Sequence, residues 1–220
     1  QQRSSWAAVW SAVRLAGAAA ILAAIAHQLV TTIGIAVNSP TPHGSHLPTV
    51  VTNFLSFFTI ESNLLAAIAL TVAAVWSLRT PGTGPEPRWI GVLLACASSY
   101  MIVTGIVYNA LLRGIELPQG TTVVWANEML HVAGPLLLLA DVLLAPRRRR
   151  LGWDVLGAIA VFPIVWAVYT LVRANFVVSP LTGARGWYPY PFLNPELVPG
   201  HYLGVAGYIL GIAVAILTVG

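Results

Sequence analysis

The sequence has 220 residues, of which 57% are hydrophobic and only 8% are charged, and its mean hydropathy is +0.79. Soluble domains carry roughly 25% charged residues, so this composition excludes an ordinary soluble domain and is typical of a membrane protein. The formal net charge is +4, and all eleven basic residues are arginines. Four of them form the run Arg147–Arg150 beside an apolar segment, which indicates membrane topology rather than nucleic-acid binding.

Six apolar segments are each long enough to cross a bilayer, which takes about 20 residues of α-helix. The segments between them are polar or rich in proline and glycine, as turns are. We therefore predict an all-α fold, an integral membrane bundle of six transmembrane helices that residues 1–220 form as a single domain. The predicted spans are Trp6–Val37, Val51–Leu78, Trp89–Leu112, Val123–Ala145, Trp153–Asn175 and His201–Gly220.

The arginines also predict the orientation of this bundle, because arginine is enriched in cytoplasmic loops. If the run Arg147–Arg150 is cytoplasmic, then Arg3, Arg79 and Arg88 lie on the same side of the membrane. Both termini are then cytoplasmic, and we expect a multi-pass protein of the cell membrane.

The fourth segment begins with polar residues that are unusual inside an apolar helix. Asn127 and Glu128 precede His131 by four and three positions, so the three side chains share one helix face. Ionisable groups within a membrane are costly and generally mark functional sites. We therefore take His131 as a candidate site residue, with Asn127 or Glu128 as the group that orients its ring.

The second segment supplies a possible partner for His131 at the same depth. Thr59 lies eight residues after Val51, and His131 lies eight residues after Val123. Both segments enter from the outer side, so each side chain would lie roughly 12 Å below the outer surface. We predict that the hydroxyl and the imidazole meet.

Other polar side chains are expected to support this pair or to bind substrate. Asn63 follows Thr59 by four positions and shares its face, whereas Glu61 points towards a different neighbour. Four more residues lie at a similar height on other segments: His27, Tyr108, Asn109 and Arg173. These residues predict a polar chamber in the outer half of the bundle.

A hydroxyl beside an imidazole suits nucleophilic acyl transfer, in which the base removes the hydroxyl proton and a covalent acyl-enzyme forms. Two structural alternatives remain open: Thr59 could bond its own helix backbone, and His131 with Glu128 could form a helix contact. A haem held between His27 and His131 and a small-molecule transporter are further alternatives. No metal site is expected, because His43 and His46 lie in a loop without a nearby acid.

Three motifs occur in order along the chain: F-F-T-I-E-S-N at Phe57–Asn63, N-E-M-L-H-V-A-G-P at Asn127–Pro135 and G-W-Y-P-Y-P-F-L-N-P at Gly186–Pro195. They resemble the second-span, fourth-span and aromatic–proline motifs of the androgen-induced gene 1 protein and androgen-dependent TFPI-regulating protein family. The resemblance covers nearly the whole chain. The residues E-S-N that end the first motif look like the bacterial branch of that family.

Members of this family are six-span hydrolases that cleave fatty acid esters of hydroxy fatty acids. The resemblance implies that Thr59 is the nucleophile and His131 the base of a lipid esterase that needs no cofactor and no metal. Membrane lipids and a fatty ester are the expected partners, and nucleic acid is not. We expect the segment Gly186–Pro195, with Tyr188 and Tyr190, to cover the outer mouth of the site. The alternative is a lipid- or haem-binding protein or transporter without hydrolytic activity.

Overall fold

The computed structural model describes residues 5–80, 82–115 and 122–220. Within these ranges the chain is helical, and its only β pairing is an isolated bridge between Val178 and Arg185. The α-helices in these ranges are α1 Ser5–Val37, α2 Leu47–Leu55, α3 Phe58–Arg79, α4 Arg88–Val107, α5 Val124–Glu128, α6 Gly134–Leu144, α7 Leu156–Ala174 and α8 Tyr202–Val219. Short π-helices at Tyr108–Leu112 and Met129–Ala133 extend α4 and join α5 to α6, and 3-10 turns occupy Trp153–Val155 and Pro191–Leu193.

Six helical segments in the described residues are long and apolar enough to cross a membrane: Ser5–Val37, Phe58–Arg79, Arg88–Leu112, Val124–Leu144, Trp153–Ala174 and Tyr202–Val219. The prediction of an all-α chain with six candidate spans is therefore confirmed. Many large apolar side chains on these segments, such as Leu143, Val165 and Leu203, are exposed. An apolar outer surface of this kind suits a lipid environment, and the architecture is that of a multi-pass membrane protein.

The centre of the bundle is α3, which packs mainly against α1 and α4. Its inner face carries small residues, and Ala66, Ala69 and Ala73 are fully buried. Small side chains let helix backbones approach closely where the hydrophobic effect cannot drive association. Around this centre, α4 also contacts α6, α7 and α8.

The second predicted span, Val51–Leu78, was expected to be one helix, and that prediction was wrong. The helix α2 ends at Leu55 and α3 begins at Phe58, with Phe57 in an extended conformation between them. The carbonyl of Ser56, which a continuous helix would bond internally, instead accepts a hydrogen bond of 3.0 Å from Trp166 Nε1. Thr59 consequently lies in the first turn of α3, and the depth derived from a continuous helix does not apply to it.

The two π-helices contact each other through the rings of Tyr108 and His131, and two asparagine side chains bond the backbone of the second π-helix. Asn63 Nδ2 donates to the carbonyl of Leu130 at 3.1 Å, and Asn109 Nδ2 donates to the carbonyl of His131 at 3.3 Å. A methyl group built at Gly105 would lie 2.9 Å from Pro135 Cβ. Glycine at this position therefore allows α4 to approach the π-helix that carries His131.

A buried ionic cluster around Asp141 connects α1, α6 and the arginine run at the end of the bundle away from Thr59. Asp141 is fully buried and accepts hydrogen bonds from Arg14 Nε at 2.6 Å, Trp10 Nε1 at 2.7 Å and Arg148 Nη1 at 3.2 Å. These bonds join α1, α6 and the arginine run. Three donors around one carboxylate satisfy a charge that would otherwise be costly to bury.

The same arginine run holds the loop between α3 and α4. Arg147 donates to the carbonyls of Thr80 and Gly84, and Arg149 Nε donates to the carbonyl of Glu86 at 2.7 Å. The Glu86 carboxyl accepts the backbone N–H of Arg149 at 3.1 Å, while burial raises its pKa. The two loops are therefore tied together on one side of the bundle.

Replacing Asp141 by alanine should destabilise the protein by about 3–5 kcal/mol, because Arg14 would remain buried without its acceptor. Asp154→Ala is the matched control, since the ion pair between Asp154 and Arg88 is exposed and contributes little. Thermal unfolding in detergent micelles measures both variants. Equal melting temperatures for the two would contradict a stabilising role of the buried cluster.

Candidate functional site

Thr59 and His131 form a close pair between two spans. Thr59 Oγ1 lies 3.2 Å from His131 Nε2, although 72 residues separate them along the chain. Both residues are buried. Thr59 is placed by the start of α3 and His131 by the π-helix Met129–Ala133, so two local departures from regular α-helix bring the pair together.

The backbone carbonyl of Asn127 fixes the orientation of the imidazole. It lies 3.0 Å from His131 Nδ1, and because a carbonyl only accepts, Nδ1 carries the proton of this bond. In the neutral ring Nε2 is then an acceptor that faces the Thr59 hydroxyl. This is the tautomer in which a histidine can act as a base towards that hydroxyl.

Neither of the side chains predicted to orient the ring does so. The Glu128 carboxylate accepts hydrogen bonds from Arg113 Nη1 at 2.9 Å and Nη2 at 3.1 Å. The Asn127 amide donates to the Tyr108 hydroxyl at 2.5 Å instead. Glu128 is the last residue of α5, directly before the π-helix, and its carboxylate pairs with Arg113 rather than with His131, so the expected contact of this side chain with His131 was wrong.

The hydroxyl of Tyr190 contacts both the backbone and the side chain of Thr59. The Tyr190 hydroxyl accepts the backbone N–H of Thr59 at 3.2 Å and lies 3.2 Å from Thr59 Oγ1. Burial raises the pKa of Tyr190 to about 12, so the phenol stays protonated near neutral pH. If Thr59 donates to His131, the phenolic proton of Tyr190 is directed at Thr59 Oγ1.

The ring of Tyr108 covers one face of the His131 imidazole. Its ring stacks on the imidazole of His131 with centroids 3.9 Å apart and planes inclined by 24°. The Arg113 guanidinium lies 5.3 Å from the Tyr108 ring centroid on the outer side. The stack and the carbonyl of Asn127 together restrict the imidazole to one orientation.

Asn63 connects the backbone segments that carry Thr59 and His131. Its amide nitrogen donates to the carbonyl of Thr59 at 2.8 Å and to the carbonyl of Leu130 at 3.1 Å. The bridge ties the first turn of α3 directly to the π-helix that carries His131. A single side chain therefore sets the separation of the two backbones behind the Thr59–His131 pair.

Thr59 lies between two cavities. The larger is almost wholly apolar, has about 750 Å³ of empty space including its open mouth, and is lined by Phe58, Thr59, Tyr108, Trp166, Tyr190 and Ile212 among others. A smaller cavity on the other side is lined by Gln28, Phe57, Thr59, Asn127 and His131 among others.

The segment Gly186–Pro195 lies against the Thr59 end of the site. Tyr190 bonds Thr59 as described, and Phe192 lines the larger cavity. Trp187 packs edge-on against Phe57, with ring centroids 5.7 Å apart. Tyr188, predicted as a supporting residue, is half-buried and forms no hydrogen bond within the described part of the chain.

The remaining predicted residues lie around this centre or away from it. Asn109 bonds the His131 carbonyl, and Arg173 Nη2 donates to Asn53 Oδ1 at 2.7 Å. Glu61 is half-buried, and among the described residues its Oε2 has no hydrogen-bond partner. His27 does not face His131: its ring is exposed on α1 and Nδ1 accepts a hydrogen bond from Trp125 Nε1 at 2.9 Å.

Two further residues that shape the site were not predicted from the sequence. Trp166 lies on α7, bonds the Ser56 carbonyl and packs against Phe58 with ring centroids 5.2 Å apart. Thr104 lines the larger cavity near Ser62, with 3.5 Å between their hydroxyl oxygens. Trp166 and Thr104 lie within apolar segments and belong to no recognisable motif, so the sequence does not mark them as site residues. Within the described ranges, no group of three or more His, Cys, Asp and Glu side chains could hold a metal ion.

No family model, no curated protein and no solved structure matches this chain. Functional inference therefore rests on the geometry around Thr59.

The tautomer of His131 can be measured directly. In protein labelled with [15N]histidine, we expect the His131 signals at neutral pH to show a protonated Nδ1 and an unprotonated Nε2, because the Asn127 carbonyl accepts only from Nδ1–H. Comparison with His131→Gln assigns the signals. A ring protonated at Nε2 alone would contradict the bond to the Asn127 carbonyl.

Proposed function

We propose that this chain is a membrane-embedded lipid ester hydrolase in which Thr59 is the nucleophile and His131 the general base. The observation that carries the proposal is the 3.2 Å contact between Thr59 Oγ1 and His131 Nε2, with Nδ1 held by the Asn127 carbonyl. A nucleophile, a base and a group that orients the base are the parts of a catalytic triad. Here a backbone carbonyl takes the place of the triad's carboxylate.

The reaction proceeds through an acyl-enzyme. His131 Nε2 takes the Thr59 hydroxyl proton while Oγ1 attacks the ester carbonyl carbon and forms a tetrahedral oxyanion. Collapse of this intermediate breaks the bond to the alcohol oxygen, which leaves with the proton from Nε2. Water then attacks the acyl-threonine with His131 again as base, and the carboxylic acid and free Thr59 are released.

Tyr190 and the start of α3 are placed to stabilise the oxyanion. The phenol of Tyr190 is a protonated donor beside Oγ1, and the first backbone N–H groups of α3 lie at the positive end of that helix. When Oγ1 becomes covalently bound to the acyl carbon, the donor that faced Oγ1 can turn to the developing charge. We assign this role to the Tyr190 hydroxyl.

The apolar cavity beside Thr59 suits the acyl chain of a lipid ester, because its lining offers almost no hydrogen-bonding groups. The resemblance of the three motifs to the androgen-induced gene 1 family points to fatty acid esters of hydroxy fatty acids. We propose that the chain belongs to the bacterial branch of that family. Membrane lipids and the fatty ester are then its partners, and the mechanism requires no cofactor and no metal.

We further propose that the protein resides in the cell membrane with both termini in the cytoplasm. The loop of residues 80–87 and the arginine run Arg147–Arg150 are bonded together at one end of the bundle, and their excess of arginine favours the cytoplasmic side. Arg3, which belongs to the same prediction, lies outside the described residues. Thr59 and His131 are then nearer the outer leaflet.

Lipid binding without hydrolysis is the competing function, since an apolar cavity alone would serve it. A haem held by His27 and His131 has no support from the geometry, because His27 bonds Trp125 and both nitrogens of His131 are engaged. Measured ester turnover separates hydrolysis from binding.

Thr59→Ala and His131→Gln should each lower kcat for a fatty ester about a thousandfold or more, because the reaction loses its nucleophile or its base. Thr59→Ser should keep measurable turnover, since it keeps a hydroxyl. Thr71→Ala is the control, because the Thr71 hydroxyl lies on the same helix but bonds only the Ala67 carbonyl. Wild-type turnover in Thr59→Ala would exclude Thr59 as the nucleophile.

Tyr190→Phe tests the assignment of the oxyanion donor. Loss of one such donor typically lowers kcat about 100- to 1,000-fold, with little change in KM. Tyr188→Phe is the matched control. It also removes a tyrosine hydroxyl, but this hydroxyl has no hydrogen bond within the described part of the chain, so kcat should stay unchanged. If both variants behave alike, Tyr190 serves only to pack the segment.

A further inference from the structure

Arg173 is a half-buried arginine whose charge is not paired. It lies in the last turn of α7, where Nη2 donates to Asn53 Oδ1 and the guanidinium lies 5.6 Å from the ring centroid of Trp187. No carboxylate lies within ion-pairing distance of it in the described part of the chain. A guanidinium carries five N–H donors, so most of those on Arg173 remain uncommitted.

Two buried donors beside Arg173 also lack acceptors. Asn53 is 4% exposed and Trp187 is 3% exposed, and among the described residues neither Asn53 Nδ2 nor Trp187 Nε1 has a hydrogen-bond partner. The bond from Arg173 fixes the Asn53 amide, because a guanidinium can only donate and must face Oδ1. Buried donors without acceptors are rare in native proteins and call for an explanation.

The three side chains form a group of donors without a matching acceptor. One is a cation, and all three contact each other or Phe57: Arg173 bonds Asn53 and lies over Trp187, and Trp187 packs on Phe57. A ligand oxygen that carries negative charge would satisfy such a group, because charge-assisted hydrogen bonds are the strong ones. A cationic or purely apolar ligand would not.

An outer pocket lies directly beside this donor group. It has about 860 Å³ of empty space including its open mouth, and its lining includes Thr32, Ser39, Thr41, Asn53, Phe54 and Phe57. Asn53 therefore belongs to both the pocket and the donor group, whereas Arg173 and Trp187 adjoin the lining through their contacts with Asn53 and Phe57. Hydroxyls at one part of the wall and aromatic rings at another match an amphiphile.

The outer pocket shares no lining residue with the apolar cavity beside Thr59, and it meets the smaller cavity of Thr59 and His131 at Phe54 and Phe57. Phe57 forms the partition: it lines the outer pocket, and its ring packs against both Trp187 at 5.7 Å and Tyr190 at 5.6 Å.

We propose that the outer pocket is a second binding site, for an amphiphile with an oxyanion head group. The head accepts hydrogen bonds from Arg173, Asn53 and Trp187, and the chain lies against Phe54 and Phe57. A carboxylate and a phosphate monoester share this chemistry. The site does not depend on ester cleavage at Thr59.

Photolabelling with a decanoate that carries a diazirine on its chain tests this proposal. Label mapped by mass spectrometry should fall on residues 32–57 of the full-length protein in micelles. Arg173→Gln and Trp187→Phe should each reduce that label at least tenfold: the first removes the charge and keeps an amide donor, and the second removes the indole N–H and keeps an aromatic ring against Phe57. Arg185→Gln is the matched control, since Arg185 is an exposed arginine between α7 and α8.

Competition identifies the head group. Unlabelled decanoate or decyl phosphate should displace the probe, and the stronger of the two shows whether the site prefers a carboxylate or a phosphate. Equal displacement by decanol would overturn the proposal, as would equal labelling of wild type and Arg173→Gln. The same labelling is expected in Thr59→Ala, so a failure of the hydrolase proposal leaves this result intact.

Discussion

The hydrogen bond from Trp166 Nε1 to the carbonyl of Ser56 is the contact on which the rest of the site depends. It engages the carbonyl that would otherwise continue α2, so a new helix starts at Phe58. That start turns the first backbone N–H groups of α3 towards Tyr190 and places the Thr59 side chain opposite His131. A helix uninterrupted at this point would have bonded these N–H groups internally and left the hydroxyl without its donors.

The residues around Thr59 and His131 meet a general requirement of membrane proteins: every backbone polar group away from water needs a hydrogen-bond partner. The π-helix at Met129–Ala133 alters the usual bonding pattern, and the amides of Asn63 and Asn109 bond the carbonyls of Leu130 and His131. These asparagines were predicted from the sequence to support the pair or to bind substrate. Their observed contacts are to backbone, and their effect is to hold the distance between two helices constant.

The number of spans could be anticipated, because hydropathy is a property of the local sequence. The contact between Thr59 and His131 was also predicted, but from a depth that assumed a continuous second helix. The interruption at Ser56 could not be anticipated, because it depends on Trp166, which lies 110 residues away. For the same reason, Glu128 was expected to reach His131, three positions further along its helix, whereas the structure pairs it with Arg113 from a different span. Interactions between segments decide which of several nearby polar groups face each other.

Tyr190 completes the site from a part of the chain 131 residues beyond Thr59. During synthesis, the contact of Trp166 with Ser56 that positions Thr59 can form once α7 has been made, but the phenol of Tyr190 lies beyond α7 and arrives later. Domains acquire structure progressively as the chain emerges. A chain synthesised only as far as α7 therefore lacks the Tyr190 hydroxyl that contacts Thr59, and the site is complete only when the segment between the last two spans has docked.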